Sequence, residues 1–367
     1  MIEKIEIKNY RCFESLTLNG LGRINIIVGP NSSGKTALME AIFLASGINP
    51  ELALRIKKFR GLETRSISQN KVSYEELWKD LFYDFDQTKT IEISINGSLP
   101  EFCRNLSIAY QRDKPLILEL SGKDLSKDNI TSALVPIRFK WNFPLGKSSI
   151  SAEPEIRQDS IEIKLSLSIA EPNVAISLDE LSLPTSFYTS ANVIPPEEHA
   201  HYFSQLSIHN KEHIIVEALK SEFPFISGLS VEIWSGAPAI FASVEGINEK
   251  IPLNLVSSGV NKLIGILLGI AIQEGGVICI DEIENGFYFD RLPSIWELLF
   301  EFSTKFNVQI FASTHSWECL QAASDCASNS VRASDFRLIQ ALNDKPGFKV
   351  HSGEALIEAM IQQIDVR

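Results

Sequence analysis

Four short stretches hold residue types whose spacing can do chemistry. GPNSSGKT (29–36) fits the pattern GxxxxGK[ST] and lies between an apolar run, RINIIV, and a helix-like segment. Glycines 29 and 34 let the backbone curl, so that amides from about Ser32 through Ser33 and Gly34 to Lys35 turn toward phosphate oxygens, with Asn31 in the same loop. Lys35 is placed to reach β- and γ-phosphates, and the Thr36 hydroxyl to ligate Mg²⁺. The chemistry implied is the binding of a nucleoside triphosphate such as ATP.

GGVICIDEIENG (275–286) is an apolar run closed by acids. A strand ending in Asp281 sets a carboxylate where it can hold the Mg²⁺ of a bound nucleotide, and Glu282 is suited to polarise the attacking water. VQIFASTHSWE (308–318) reads as one more apolar strand. Its His315 falls at a carboxyl edge, where open α/β sheets bind ligands, within reach of a γ-phosphate or the attacking water.

LNLVSSGVNKLIGILLGIAI (253–272) puts two serines and a glycine before an amphipathic helix expected from Val260 to Ile272. Ser257, Ser258 and Gly259 can do no more than cap that helix, or its N-terminus can act as an anion site. One helix separates them from Asp281, which turns them away from the chain's own phosphate loop. The anion reading therefore requires a second copy of the protein to supply the γ-phosphate.

The elements that must position these residues follow from periodicity. IEKIEIKNY and SLTLNGLGRINIIVG alternate as strands, and an apolar helix follows the loop. Between about 90 and 190, short alternating runs such as TIEISING and IEIKLSLSIA are broken by Gly, Pro, Asp and Asn, the texture of an antiparallel insertion. Two polar helices, a hairpin-like pair and then alternating helix and apolar strand complete the chain. The expected division is 1–89, the first part of an α/β head carrying the phosphate loop; 90–190, the β-rich insertion; 191–256, a helical and hairpin lobe; and 257–367, the rest of the head.

At 367 residues and 44% hydrophobic, the chain can bury two or three domain-sized cores. A net charge of −12 excludes a globally basic nucleic-acid surface. Five cysteines without a CxxC pair fit reduced thiols in a cytoplasmic protein. The start reads as a strand rather than a signal peptide, and the run 263–272 is about half the roughly 20 residues of a membrane helix, so no membrane partner is expected.

In order, YRCF, GPNSSGKT, LVSSGVNK, VICIDEIENG and STHS resemble the motifs of an ABC-type ATPase of the RecF/SMC-like, OLD-related class, over about residues 1–60 and 180–367. The resemblance implies an α/β P-loop head with a mixed sheet, a β-rich insertion and a helical signature lobe. It also implies ATP sandwiched between two heads, hence a homodimer through composite sites or a higher oligomer, with Ser257–Gly259 as the signature. Ser258 and Val260 stand where the class has glycine and glutamine. Arg11 in NYRCF is expected to touch nucleotide, as basic residues there do in relatives, and Gln69 to lie near Mg²⁺.

No heptad arms and no second acidic cluster are present, so a nuclease or toxin is expected as a separate effector, of the kind found beside small ATPases in antiphage defence. A basic segment, RIKKFRGLETR (55–65), is either a solvated face or a contact for DNA or RNA. The alternatives to an effector-controlling ATPase are an ATP-binding scaffold with negligible turnover and a DNA-repair-type ATPase.

Overall fold

The structure is a computed structural model that describes residues 1–59, 74–112, 116–117, 133–143, 148–157, 160–168, 182–189, 195–328, 330–342, 346–362 and 364. The chain begins with β1 (Ile2–Tyr10), β2 (Phe13–Asn19) and β3 (Ile24–Val28), followed by α1 (Lys35–Ser46), α2 (Glu51–Phe59) and α3 (Tyr74–Lys79). Next come β4 (Ile91–Gly97), β5 (Arg104–Tyr110), β6 (Leu116–Ile117), β7 (Ala133–Leu134), β8 (Ile137–Phe143), β9 (Ser148–Arg157) and β10 (Ser160–Ser168). After β11 (Thr185–Tyr188) follow α4 (Pro196–Ile208), α5 (Glu212–Glu222), β12 (Ile226–Trp234), β13 (Ala237–Val244) and β14 (Ile251–Pro252). The remainder is α6 (Leu253–Val256), α7 (Ser258–Ile272), β15 (Val277–Ile280), α8 (Leu292–Lys305), β16 (Gln309–Ser313), α9 (Trp317–Cys326), α10 (Ser330–Asp335), β17 (Phe336–Ala341), β18 (Phe348–Ser352) and α11 (Gly353–Ile361).

The elements form two compact units. One comprises residues 1, 20–39 and 183–367, the other 2–19 and 40–182. The first holds a six-stranded sheet in the order β11-β15-β16-β3-β17-β18, parallel except for the β17–β18 pair. All residues of β3, β15 and β16 are buried, as expected of strands covered on both faces. Ile24, Ile26, Val28, Ile278, Ile280, Ile310 and Ala312 share one core with Val260, Leu263, Ile264 and Leu267 of α7. Each fully buried aliphatic side chain contributes on the order of 2 kcal/mol.

Two side chains press on α7 where it carries no side chain of its own. A β-carbon on Gly265 would lie 2.7 Å from His199 Nε2 of α4, and one on Gly269 would lie 1.8 Å from Tyr188 Oη of β11. Burial lowers the His199 pKa to about 4, with Glu198 and Asn261 pulling the other way. His199 Nε2 has no hydrogen-bond partner among the described residues.

The second unit is built on a seven-stranded antiparallel sheet, β10-β9-β8-β5-β4-β1-β2. The expected segments differ from these units in three places, the largest being residues 40–89, which belong to the unit of the antiparallel sheet. β1 and β2 join the antiparallel sheet, where β1 pairs with β4 on one side and β2 on the other, and neither pairs with the doubly buried β3. β11 leaves the expected insertion for the edge of the parallel sheet, where four residues pair with β15. α7 also starts at Ser258, two positions ahead of the expected Val260. No helix among the described residues is long and apolar enough to cross a membrane.

Candidate active site

The phosphate loop follows β3, whose buried aliphatic residues fix where it starts. Gly29, Ser32 and Gly34 adopt φ of 145°, 63° and 98°, the left-handed turns that curl the loop before α1. Lys35 Nζ donates to Gly29 O and Pro30 O, both at 2.8 Å. Burial lowers the Lys35 pKa, and Asp281, Glu282 and Glu284 oppose that shift. Ser33 Oγ is buried without a partner among the described residues, an unmet polar valence that suits a phosphate oxygen.

Asp281 follows the last residue of β15. Its Oδ2 accepts from Thr36 Oγ1 at 2.8 Å, and its Oδ1 accepts from Ser313 Oγ at the end of β16. Glu282 N donates to the same Ser313 Oγ at 2.8 Å, and Ile283 N donates to Ser313 O at 3.0 Å. Thr314 N donates to Ile27 O at 3.1 Å, so the ends of β3, β15 and β16 are tied to one another. This is the carboxyl edge of the parallel sheet.

Beyond Asp281 the acids continue. Glu282 has φ of 50°, and its Oε2 accepts from Asn285 Nδ2 at 2.6 Å. His315 N donates to Glu284 Oε1 at 2.9 Å, which seats the histidine two residues past the strand end. Thr36 Oγ1 and Asp281 Oδ2 are hard oxygen donors already side by side, and the pair fits Mg²⁺, which takes few protein ligands. Bound there, the ion would neutralise phosphate charge.

Ser257 is the N-cap of α7, with its hydroxyl accepting from Val260 N at 3.1 Å. Ser257 and Ser258 are exposed, and Gly259 is buried. A β-carbon on Gly259 would sit 2.8 Å from Gly286 O, so the first turn of α7 rests on the segment that follows Glu282.

The family model for the RecF/RecN/SMC N-terminal domain matches residues 1–335. The chain belongs to this family of ABC-type ATPases. An ATP/GTP phosphatase of Helicobacter pylori is 24% identical over 360 residues, which is 92% of this chain and 90% of that protein. An OLD nuclease of Thermus scotoductus is 33% identical over 100 residues, 27% of this chain and 15% of the nuclease. Among solved structures, an Smc head bound to the C-winged helix domain of ScpA aligns with 96% of this chain and 97% of its own, at 15% identity and a TM-score of 0.45.

Within this family frame, Arg11 meets partners in its own unit. Arg11 sits at φ 48° in the β1–β2 turn, and its guanidinium pairs with Glu40 at 2.7 Å and Asp80 at 3.2 Å. That side chain is 9% exposed and pairs with two carboxylates, while its Nη2 is buried without a hydrogen-bond partner among the described residues. Gln69 and most of the basic segment 55–65 lie outside the described residues. Three residues that the motifs left without roles join the site: Ser313, Glu284 and Asn285. Ser313 is the S of STHS, and a polar residue directly after the apolar run IFA is a signal that could have found it.

Proposed function

We propose that this ABC-type ATPase hydrolyses ATP in a head-to-head pair of chains, and that the pairing controls a partner effector, a nuclease or toxin, or the engagement of DNA or RNA. In this reading Lys35 meets the β- and γ-phosphates with Asn31, Ser32, Ser33 and Gly34 around them. Thr36 and Asp281 hold Mg²⁺, Glu282 activates water, and His315 addresses the γ-phosphate. The observation that carries it is the chain of contacts from Thr36 Oγ1 through Asp281 to Ser313 Oγ and Glu282 N. It joins the phosphate-loop helix to the acids, the arrangement that metal-assisted phosphoryl transfer needs. The Helicobacter pylori phosphatase, similar over almost the whole chain, supports hydrolysis. The OLD nuclease, similar over a shorter stretch, is the ground for naming a nuclease as the effector.

Ser257, Ser258 and Gly259 supply the second half of the composite site. Ser258 is exposed at the first position of α7, where helix amides favour an anion. The test is Glu282→Gln, which retains the phosphate contacts and removes the group that activates water. It should bind ATP, lose hydrolysis, and elute as a dimer with ATP and Mg²⁺ in size-exclusion chromatography. Adding Ser258→Arg should return it to a monomer. A Glu282→Gln protein that stays monomeric with saturating ATP sinks the pairing.

A further inference from the structure

One turn into α7, Lys262 makes a set of contacts that the ATPase reading leaves without a role. Its Nζ donates to three backbone carbonyls: Glu282 O at 2.9 Å, Ile283 O at 3.1 Å and Asn285 O at 2.7 Å. An ammonium has three N–H donors, so the set is saturated. The Phe287 ring, 5.3 Å from Nζ, adds a cation–π contact from the same segment.

That segment starts in a conformation its sequence does not favour. Glu282 has φ of 50°, a region that residues with a β-carbon rarely adopt and keep only where the surroundings hold them. The amides on either side of it are held from β16, through Glu282 N to Ser313 Oγ at 2.8 Å and Ile283 N to Ser313 O at 3.0 Å. The carbonyls are held from α7, through Lys262. Donors are thus anchored on one side and acceptors on the other. Asn285, which grips Glu282 Oε2 at 2.6 Å, gives its own carbonyl to the same lysine. One amine therefore fixes both the residue that bears the carboxylate and the residue that aims it.

We propose that Lys262 is a positioning residue for Glu282, holding the left-handed turn from which the carboxylate is presented to the attacking water. Lys262 acts on the reaction through Glu282 alone, and the proposal rests on the role given to Glu282 above.

The experiment compares ATP hydrolysis per folded molecule, and ATP affinity by calorimetry, for the wild type, Glu282→Gln, Lys262→Met and Lys262→Arg. Displacing a catalytic group by about 1 Å costs on the order of 100-fold, so Lys262→Met should lower kcat by about that factor with KM and ATP affinity close to wild type. Lys262→Arg, which keeps several donors on a charged head, should recover a large part of the rate. If Lys262→Met does not fold, Lys262→Gln is measured in its place with the same expectation.

A kcat per folded molecule within about twofold of wild type, with only the melting temperature lowered, overturns the proposal: the lysine is then a structural clamp. A fall in ATP affinity equal to the fall in kcat overturns it as well. An inactive Glu282→Gln beside a fully active Lys262→Met refutes Lys262 alone. A Glu282→Gln as active as wild type refutes the role of Glu282 and takes this proposal with it.

Discussion

Buried charge is handled in opposite ways by the two compact units. In the unit of the seven-stranded sheet, Arg11 meets Glu40 and Asp80, Lys57 shares Asp80, and Arg104 donates to Ser46 O at the C-terminal end of α1 at 2.7 Å. Every one of these cations faces a carboxylate or a helix C-terminus, and the charge is cancelled where it stands. In the unit of the parallel sheet, Asp281, Glu282 and Glu284 are oriented by a hydroxyl, an amide and a backbone N–H: Thr36 and Ser313 on Asp281, Asn285 on Glu282, His315 N on Glu284. Neutral donors aim a carboxylate without cancelling it. The first pattern stabilises a fold, and the second leaves charge available for a cation and a reaction.

The contrast breaks most sharply at Arg11. Arg11→Met removes the guanidinium beside the buried Glu40 and should cost about 3–5 kcal/mol in urea unfolding followed by circular dichroism, while the folded fraction binds ATP as the wild type does. Lost ATP affinity at unchanged stability would move Arg11 into the site. Lys35→Ala is the converse. It should weaken ATP binding by about 2–5 kcal/mol in calorimetry with little change in melting temperature, because the charge serves a ligand. Unchanged affinity would remove the phosphate-loop assignment.

A third test concerns a buried group that is neutral in the fold. Burial lowers His199 to about 4, so between its ordinary value of about 6.5 and about 4 the unfolded chain takes up a proton that the folded chain refuses. Stability should fall as pH drops through that window, by roughly 3 kcal/mol from this residue. His199→Gln should flatten that part of the stability–pH curve, and an unaltered slope would show that another group carries it. The smallest effect is at Ser257. Ser257→Ala removes the cap on Val260 N and should cost about 1 kcal/mol. Loss of hydrolysis out of proportion to that, per folded molecule, would show that the hydroxyl also serves the composite site.

What was legible in the sequence was local. GPNSSGKT, the acids after VICI and STHS each carry their strand-end context within a dozen residues, so Lys35, Thr36, Asp281 and the α/β fold class follow from spacing. What was not legible depends on pairing at a distance. Alternation shows that IEKIEIKNY is a strand, but not that its neighbours are β2 and β4 rather than β3. The partners of Arg11 lie far along the chain, and its positive φ, which turns the side chain inward, leaves no mark on NYRCF. Nothing in LVSSGVNK singles out Lys262, because its acceptors are backbone carbonyls, which no side-chain pattern encodes.

The contact between Tyr188 and α7 bears on how this protein could be made hardier. Exchanging a glycine inside a helix for alanine is a common stabilising step, worth about 0.4–1 kcal/mol where the backbone tolerates it, because the denatured chain loses freedom. At Gly269 the added methyl would be 1.8 Å from the Tyr188 oxygen, so the ring or the helix must shift and the gain turns into a loss. A thermostabilisation campaign guided by helix propensity alone would select this position and get the wrong sign. Trimming the tyrosine together with the glycine exchange would be the route that respects the packing.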